Sequence, residues 1–219
     1  MRPIGLTGCF EDKGFLWTEN RVPGTAVYGE KLRPAGGKEY RNWNPFRSKV
    51  AALARKDPTT PWFGPRDDVL YLGAASGTTV SHVSDLTNGL VYAVEFSPRS
   101  ARDLLWNVEP RRNVVPIVED AGYPERYAAY IAKPVDVLVQ DVAQRHQVDI
   151  FLRNMPFVKP GGLGMLMVKA RSINVSQPTQ EIYATVAQRL GSAGLRIERQ
   201  VDLDPFETDH RAFVVRKAA

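Results

Sequence analysis

Five positions in this 219-residue sequence join a chemically capable side chain or turn to the end of an apolar, strand-like run. The run 69–73 opens into Gly73-Ala74-Ala75-Ser76-Gly77-Thr78-Thr79. Small residues let a backbone approach a ligand, and the helix start that follows favours negative charge. Glu95 closes the next run, 22 residues after Gly73. That is near the spacing at which an acid grips the ribose hydroxyls of a bound nucleoside. Asp120, Asp141 and Lys169 close the following three runs. The turn is not G-x-G-x-x-G, so a pyrophosphate-binding dinucleotide fold is not the natural match. An adenosine cofactor without phosphates needs a ribose grip and a partner for the adenine edge. Glu95 and Asp120 could supply both, against the backbone of Gly73 and Ala74, and S-adenosylmethionine fits that description.

These residues need a sheet to hold them. Strand-like runs at 69–73, 90–95, 113–119, 135–141 and 164–169 alternate with helical segments near 77–86, 98–107, 124–131, 146–157 and 178–191. Runs such as Val-Leu-Tyr-Leu are apolar enough to be covered on both faces, which predicts a parallel sheet with right-handed crossovers. Two further strands, 195–203 and 211–215, flank an acidic turn and predict a final antiparallel hairpin. The expected fold is a Rossmann-like α/β methyltransferase sheet, mostly parallel, of seven strands with one antiparallel. Before it, Pro23-Gly24 and Pro34-Ala35-Gly36-Gly37 separate short β-prone pieces, which predicts a small antiparallel β domain over 1–47 and a methyltransferase domain over 48–219. Ser48 is the expected N-cap of a short helix over 49–56.

Composition narrows the class. The chain is 43% hydrophobic and 24% charged, ordinary for a globular protein. No apolar run reaches the roughly 18–20 residues of a membrane span, and the start lacks a signal-peptide pattern. Cys9 is the single cysteine, so an internal disulfide and a cysteine-based zinc site are excluded, no metal is expected, and a cytoplasmic location is. The net charge of +5 lies wholly within residues 1–60, which points to an anionic partner near that end. Trp17, Trp43, Trp62 and Trp106 are read as packing residues, and His82 and His146 as structural or surface.

Several strings resemble the archaeal fibrillarin-like family of rRNA/tRNA 2′-O-methyltransferases. They are 71–85, Val94-Glu-Phe-Ser-Pro-Arg99, Gln140-Asp-Val-Ala-Gln144, Val168-Lys-Ala-Arg-Ser-Ile173, Asp204-Pro-Phe-Glu-Thr-Asp-His210 and, upstream, Arg41-Asn-Trp-Asn-Pro-Phe-Arg-Ser-Lys-Val-Ala-Ala52. The likeness covers nearly the whole chain and is weakest over the first forty residues. It implies that Thr78, Thr79, Glu95, Phe96, Asp120, Ala121, Asp141, Val142, Ala143 and Gln144 line the cofactor pocket. It also implies a catalytic group of Lys49, Asp141, Lys169 and His210. Such proteins work in a box C/D guide RNA particle. There, a Nop-domain scaffold protein and a kink-turn-binding protein hold the guide paired to its target RNA.

A ribose 2′-hydroxyl is a poor nucleophile, so the protein must align it and ease its proton loss. Lys169 is the expected proton acceptor if burial or Lys49 lowers its pKa, with Asp141 orienting the ammonium groups and His210 in support. Arg41, Arg47, Arg55, Lys56 and Arg171 are expected to touch RNA phosphates, contacts that position RNA without reading its sequence. Two other readings stand beside this one: a base or small-molecule methyltransferase on the same fold, and a non-catalytic assembly subunit.

Overall fold

The computed structural model describes all 219 residues. Strands β1 (Arg2–Pro3), β2 (Cys9–Asp12), β3 (Phe15–Glu19), β4 (Leu32–Ala35) and β5 (Lys38–Trp43) form an antiparallel sheet in the order β1-β2-β3-β5-β4. Helix α1 (Lys49–Lys56) follows, with Ser48 as its N-cap accepting from the Ala51 N–H at 3.3 Å. The second sheet alternates with helices: β6 (Val69–Leu72), α2 (Thr78–Leu86), β7 (Val91–Val94), α3 (Pro98–Val108), β8 (Val114–Ile117), β9 (Val135–Gln140), α4 (Gln147–Asn154), β10 (Val158–Lys169), α5 (Ala170–Ile173), α6 (Thr179–Ser192), β11 (Arg196–Asp202) and β12 (His210–Arg216).

Its order is β11-β12-β10-β9-β6-β7-β8, and only β12 runs against the rest, as the sequence predicts. Two expectations are corrected. Residues 124–131 hold two short 3-10 turns, Pro124–Arg126 and Ala128–Tyr130, and no α-helix. Strand β10 begins six residues earlier than expected, because Gly161 at φ 72° carries the chain through an irregularity in the ladder without ending it.

Alternate residues of the central strands feed two cores. Val69, Tyr71, Val91, Ala93, Val137 and Val139 face one side and pack with α1, α2 and α3. Leu70, Leu72, Tyr92, Val94 and Leu138 face the other and pack with α4 and α6. Leu16 and Trp43 of the N-terminal sheet belong to the first core, so that sheet shares apolar packing with the seven-stranded sheet. Trp17, Trp43 and Trp62 are buried as expected, whereas Trp106 on α3 is 85% exposed and packs into neither core.

The polar part of this junction is a buried charge cluster. The Asp85 carboxylate on α2 accepts from Arg41 of β5 at 2.9 Å and from Arg111 at 2.6 Å, and all three side chains are essentially without solvent. Arg41 also meets Glu30 at 2.6 Å and the Ser81 hydroxyl at 2.9 Å. Arg41 was expected at an RNA surface; its guanidinium is spent inside the fold. His82 lies beside the cluster, fully buried and stacked on Trp43 at 5.2 Å. Thr18 Oγ1 lies 2.8 Å from His82 Nδ1 and the Tyr28 hydroxyl lies 2.8 Å from Nε2, so both ring nitrogens have hydrogen-bond partners. Burial, reinforced by Arg41 and Arg111, holds the His82 pKa well below 6.5.

Replacing Asp85 by Ala strands two buried guanidinium groups, and urea denaturation should register a loss of roughly 3–5 kcal/mol. His82 gives the fold an acid sensitivity of known sign. Its folded pKa is depressed, so its contribution is complete above the unfolded value of 6.5 and is lost progressively as pH falls from there. Unfolding free energy measured from pH 7.5 to 5 should fall with acid, and His82→Gln should flatten that slope.

Candidate active site

The C-terminal edge of the second sheet collects side chains from three directions. Helix α1 brings Lys49 and β9 leads into Asp141, and the two meet across 92 residues of sequence. The ammonium lies 3.0 Å from Asp141 Oδ1 and 3.2 Å from Oδ2. Both side chains remain about one-fifth exposed, at 19% and 21%, so a substrate can reach them. The turn between β11 and β12 supplies the third direction. It is tied to α1 by Lys56 Nζ donating to the Asp204 carbonyl at 2.7 Å, and to the segment before α1 by edge-to-face packing of Phe46 on Phe206 at 5.1 Å.

His210 opens β12 and stands directly opposite Lys169 in the β10–β12 register. Its Nδ1–H donates to the Thr208 carbonyl at 2.7 Å, leaving Nε2 with a lone pair. Burial and, more weakly, the Lys49 ammonium lower its pKa from 6.5, so the imidazole is neutral at pH 7. Lys49, Asp141 and His210 therefore lie within electrostatic reach of one another, and Lys169 stands beside His210 in the strand register. Lys169 differs from its expected state: its side chain is exposed and without an ion pair, and Lys49 is neutralised by Asp141. Burial by the protein alone is not what would activate it.

Two members of the cluster escaped the reading of the sequence. Glu207 lies 4.0 Å from Lys49 and 3.9 Å from His210 Nδ1, within the string 204–210 but assigned no role there. Gln147, the first residue of α4, is fully buried against the Lys169 peptide. Nothing in its local sequence signals that contact.

Beside the cluster are two adjoining cavities that share Gly73, Ala75 and Asp141. One has an empty volume of about 520 Å³ and is lined by Glu95, Phe96, Glu119, Ala121, Val142, Ala143 and Gln144. The other, about 660 Å³, is lined by Ala74, Thr78, Thr79, Tyr71, Arg47 and Phe46. Asp120 is the exception among the expected pocket residues. Its Oδ1 accepts from the Gly122 N–H at 2.8 Å, closing its own turn, and Glu119 lines the cavity instead.

The groups present suit an adenosine-bearing ligand. Buried Glu95 is aimed in advance: Oε2 accepts from the Ala75 N–H and Oε1 from the Ser97 N–H, each at 2.8 Å. Each carboxylate oxygen keeps a lone pair for a ribose hydroxyl. Gly73 sits at φ 81°, and a Cβ there would stand 2.3 Å from the Asp141 carbonyl oxygen, so the floor of both cavities requires glycine.

Of the expected RNA contacts, Arg47, Arg55, Lys56 and Arg171 are exposed and Arg41 is not. Arg171 pairs with Asp209 at 3.3 Å, near the Lys169 end of the cleft. Much of the N-terminal charge is also matched locally, through Arg2–Glu11, Arg33–Asp12 and Lys38–Glu19 pairs. No helix is long and apolar enough to cross a membrane.

A family model described as Fibrillarin matches residues 6–219. A fibrillarin-like rRNA/tRNA 2′-O-methyltransferase of Thermococcus sibiricus is 45% identical over 218 residues, 97% of this chain and 96% of the relative. Among solved structures, Aeropyrum pernix fibrillarin in complex with natively bound S-adenosyl-L-methionine aligns at a TM-score of 0.84 and 44% identity, covering 92% of this chain and 88% of that one. A fibrillarin/Nop5p complex aligns at 0.90 and 34% identity, over 99% and 100%.

Glu95→Gln replaces one acceptor oxygen by a donor facing a backbone N–H. With a charge-assisted bond worth about 1.5–3 kcal/mol, calorimetry should find S-adenosylmethionine bound roughly 10–100-fold more weakly.

Proposed function

The chain belongs to the fibrillarin family, and from that premise we propose that Lys49, Asp141, Lys169 and His210 carry out methyl transfer to a ribose 2′-hydroxyl. The protein is an S-adenosylmethionine-dependent rRNA/tRNA 2′-O-methyltransferase. The alternatives, a base methyltransferase and a non-catalytic subunit, find no support in relatives that bear this activity in their names. The observation that carries the assignment of residues is the Lys49–Asp141 pair at the wall common to both cavities, with His210 and Lys169 side by side on neighbouring strands.

S-adenosylmethionine supplies a methyl group already activated by its sulfonium. The chain's own groups hold the cofactor and prepare the acceptor. Glu95 would grip ribose hydroxyls, and Phe96, Ala121 and the stretch 141–144, which line the same cavity, would enclose the base. Thr78 and Thr79 line the neighbouring cavity at the start of α2, where they would hold the amino-acid end. Asp141 holds the Lys49 ammonium in place, so a positive charge stands near the alkoxide that develops. Lys169 takes the hydroxyl proton once bound cofactor and RNA shut water away from its amine and favour the neutral form, and the neutral His210 beside it offers a second acceptor at Nε2.

A Nop-domain scaffold is the protein partner class, as in the fibrillarin/Nop5p complex. We infer further that box C/D guide RNA and a kink-turn-binding protein complete the particle. Of the basic residues expected at RNA, the exposed Arg47, Arg55, Lys56 and Arg171 serve phosphate contacts, which cannot choose a nucleotide; base pairing with a guide does that. We place this work in the cytoplasm and read residues 1–47 as the β domain and 48–219 as the methyltransferase domain, with Lys49 just past the boundary.

Particles reconstituted with labelled S-adenosylmethionine should methylate a target nucleotide and fail on the same RNA carrying a 2′-deoxy sugar there. Continued labelling of the deoxy target would overturn the 2′-O assignment. Lys169→Ala should bind cofactor normally while its turnover falls by at least 100-fold; an equal loss of both would make Lys169 a binding residue.

A further inference from the structure

Lys169 has no side-chain partner, yet its backbone is held on both sides by a single buried amide. Gln147 Oε1 accepts from the Lys169 N–H at 3.1 Å, and Gln147 Nε2 donates to the Lys169 carbonyl at 3.2 Å. The same Nε2 donates to the Gln144 carbonyl at 3.2 Å, and Gln144 lines the cofactor cavity. The Gln147 carbonyl in turn accepts from Gln140 Nε2 at 2.6 Å, at the end of β9 and one residue before Asp141. Gln147 has no exposed surface.

We propose that Gln147 is a positioning residue that fixes Lys169 relative to the cofactor loop, resting on the reading of Lys169 as the proton acceptor. β10 ends at Lys169, where ladder pairing stops and the chain turns into the short helix α5. A strand end is where a backbone is freest, and a lysine adds a long flexible side chain to that freedom. The amide removes the first part of it. One planar group satisfies both the N–H and the C=O of Lys169, so the two peptide units that flank its Cα are held by the same amide and neither can rotate without breaking a bond. Through the Gln144 carbonyl, the same amide sets the distance from that peptide to the loop 141–144. Asp141, which orients Lys49, belongs to that loop, so both lysines are referred to one framework. Alignment of donor and acceptor is where such a reaction gains most, and small displacements are costly. Gln147 touches neither cofactor nor RNA in this role.

The test uses Gln147→Met, which keeps length and burial but makes none of these bonds, and Gln147→Glu, which keeps the acceptor for the Lys169 N–H and loses both donors. Both go into reconstituted particles beside wild type and Lys169→Ala. Single-turnover methylation by Gln147→Met should fall at least tenfold while the dissociation constants for S-adenosylmethionine and target RNA stay within threefold. Hydrogen exchange in the peptide containing Lys169 should quicken, and Gln147→Glu should be intermediate in both rate and exchange. A wild-type rate in either variant despite faster exchange at Lys169 overturns the proposal, as does a rate loss matched by an equal loss of cofactor affinity. If Gln147→Met does not fold, the same two criteria are applied to Gln147→Glu alone. A wild-type rate in Lys169→Ala is a different failure: it removes the proton-acceptor reading itself, whatever the Gln147 variants do.

Discussion

One buried carboxylate, that of Asp85, decides how the two sheets meet. It lies between the guanidinium groups of Arg41 and Arg111, with solvent absent from all three. Two like charges brought together in a dry interior repel, and the depressed pKa of Arg111 records its burial and, more weakly, the presence of Arg41. Only an anion between them, aided by Glu30 on the far side of Arg41, makes the arrangement tenable. The consequence reaches the active site through the chain. Arg41 lies on β5, β5 ends at Trp43 in the shared core, and Ser48 then caps the helix whose first residue is Lys49. Docking the N-terminal sheet on α2 thereby sets where Lys49 emerges.

The site itself divides its labour along the sheet edge. On one flank Gly73 and Glu95 shape a pocket whose polar groups are already bound to backbone, so little reorganisation is needed when a ligand enters. On the other, Asp141 pairs with Lys49, Lys49 approaches Glu207, and Glu207 approaches the neutral His210. Asp141 belongs to both: its side chain orients Lys49, its carbonyl oxygen forces glycine at residue 73, and it walls both cavities. Its position at the end of the middle strand β9, between β6 and β10, is what makes that double service possible.

Whatever depends on neighbours in sequence could be read directly. Apolar runs bounded by turns marked the strands, Ser48 announced its helix, and the small-residue turn after β6 with an acid ending β7 marked the pocket. The stretch 124–131 misled because Pro124 suits a helix start, while the structure closes only two tight turns before Pro134. Trp106 misled for a related reason: its type favours burial, but α3 turns toward the core along Ala101, Leu104 and Val108, and residue 106 falls on the opposite side.

Residue identities and spacing determined the sheet class and the cofactor-facing turn, and the resemblance of whole strings to a known family supplied the four catalytic candidates. Partnership across long separations was settled by the tertiary structure. Arg41 looked like an RNA contact until Asp85, 44 residues away, proved to hold it inside. Gln147 looked like any residue at the start of a helix until the fold set its amide against the peptide of Lys169. Charge, propensity and periodicity act over a few residues and can be read along the chain. Which buried group neutralises or positions another depends on distances that exist only once the sheets have packed.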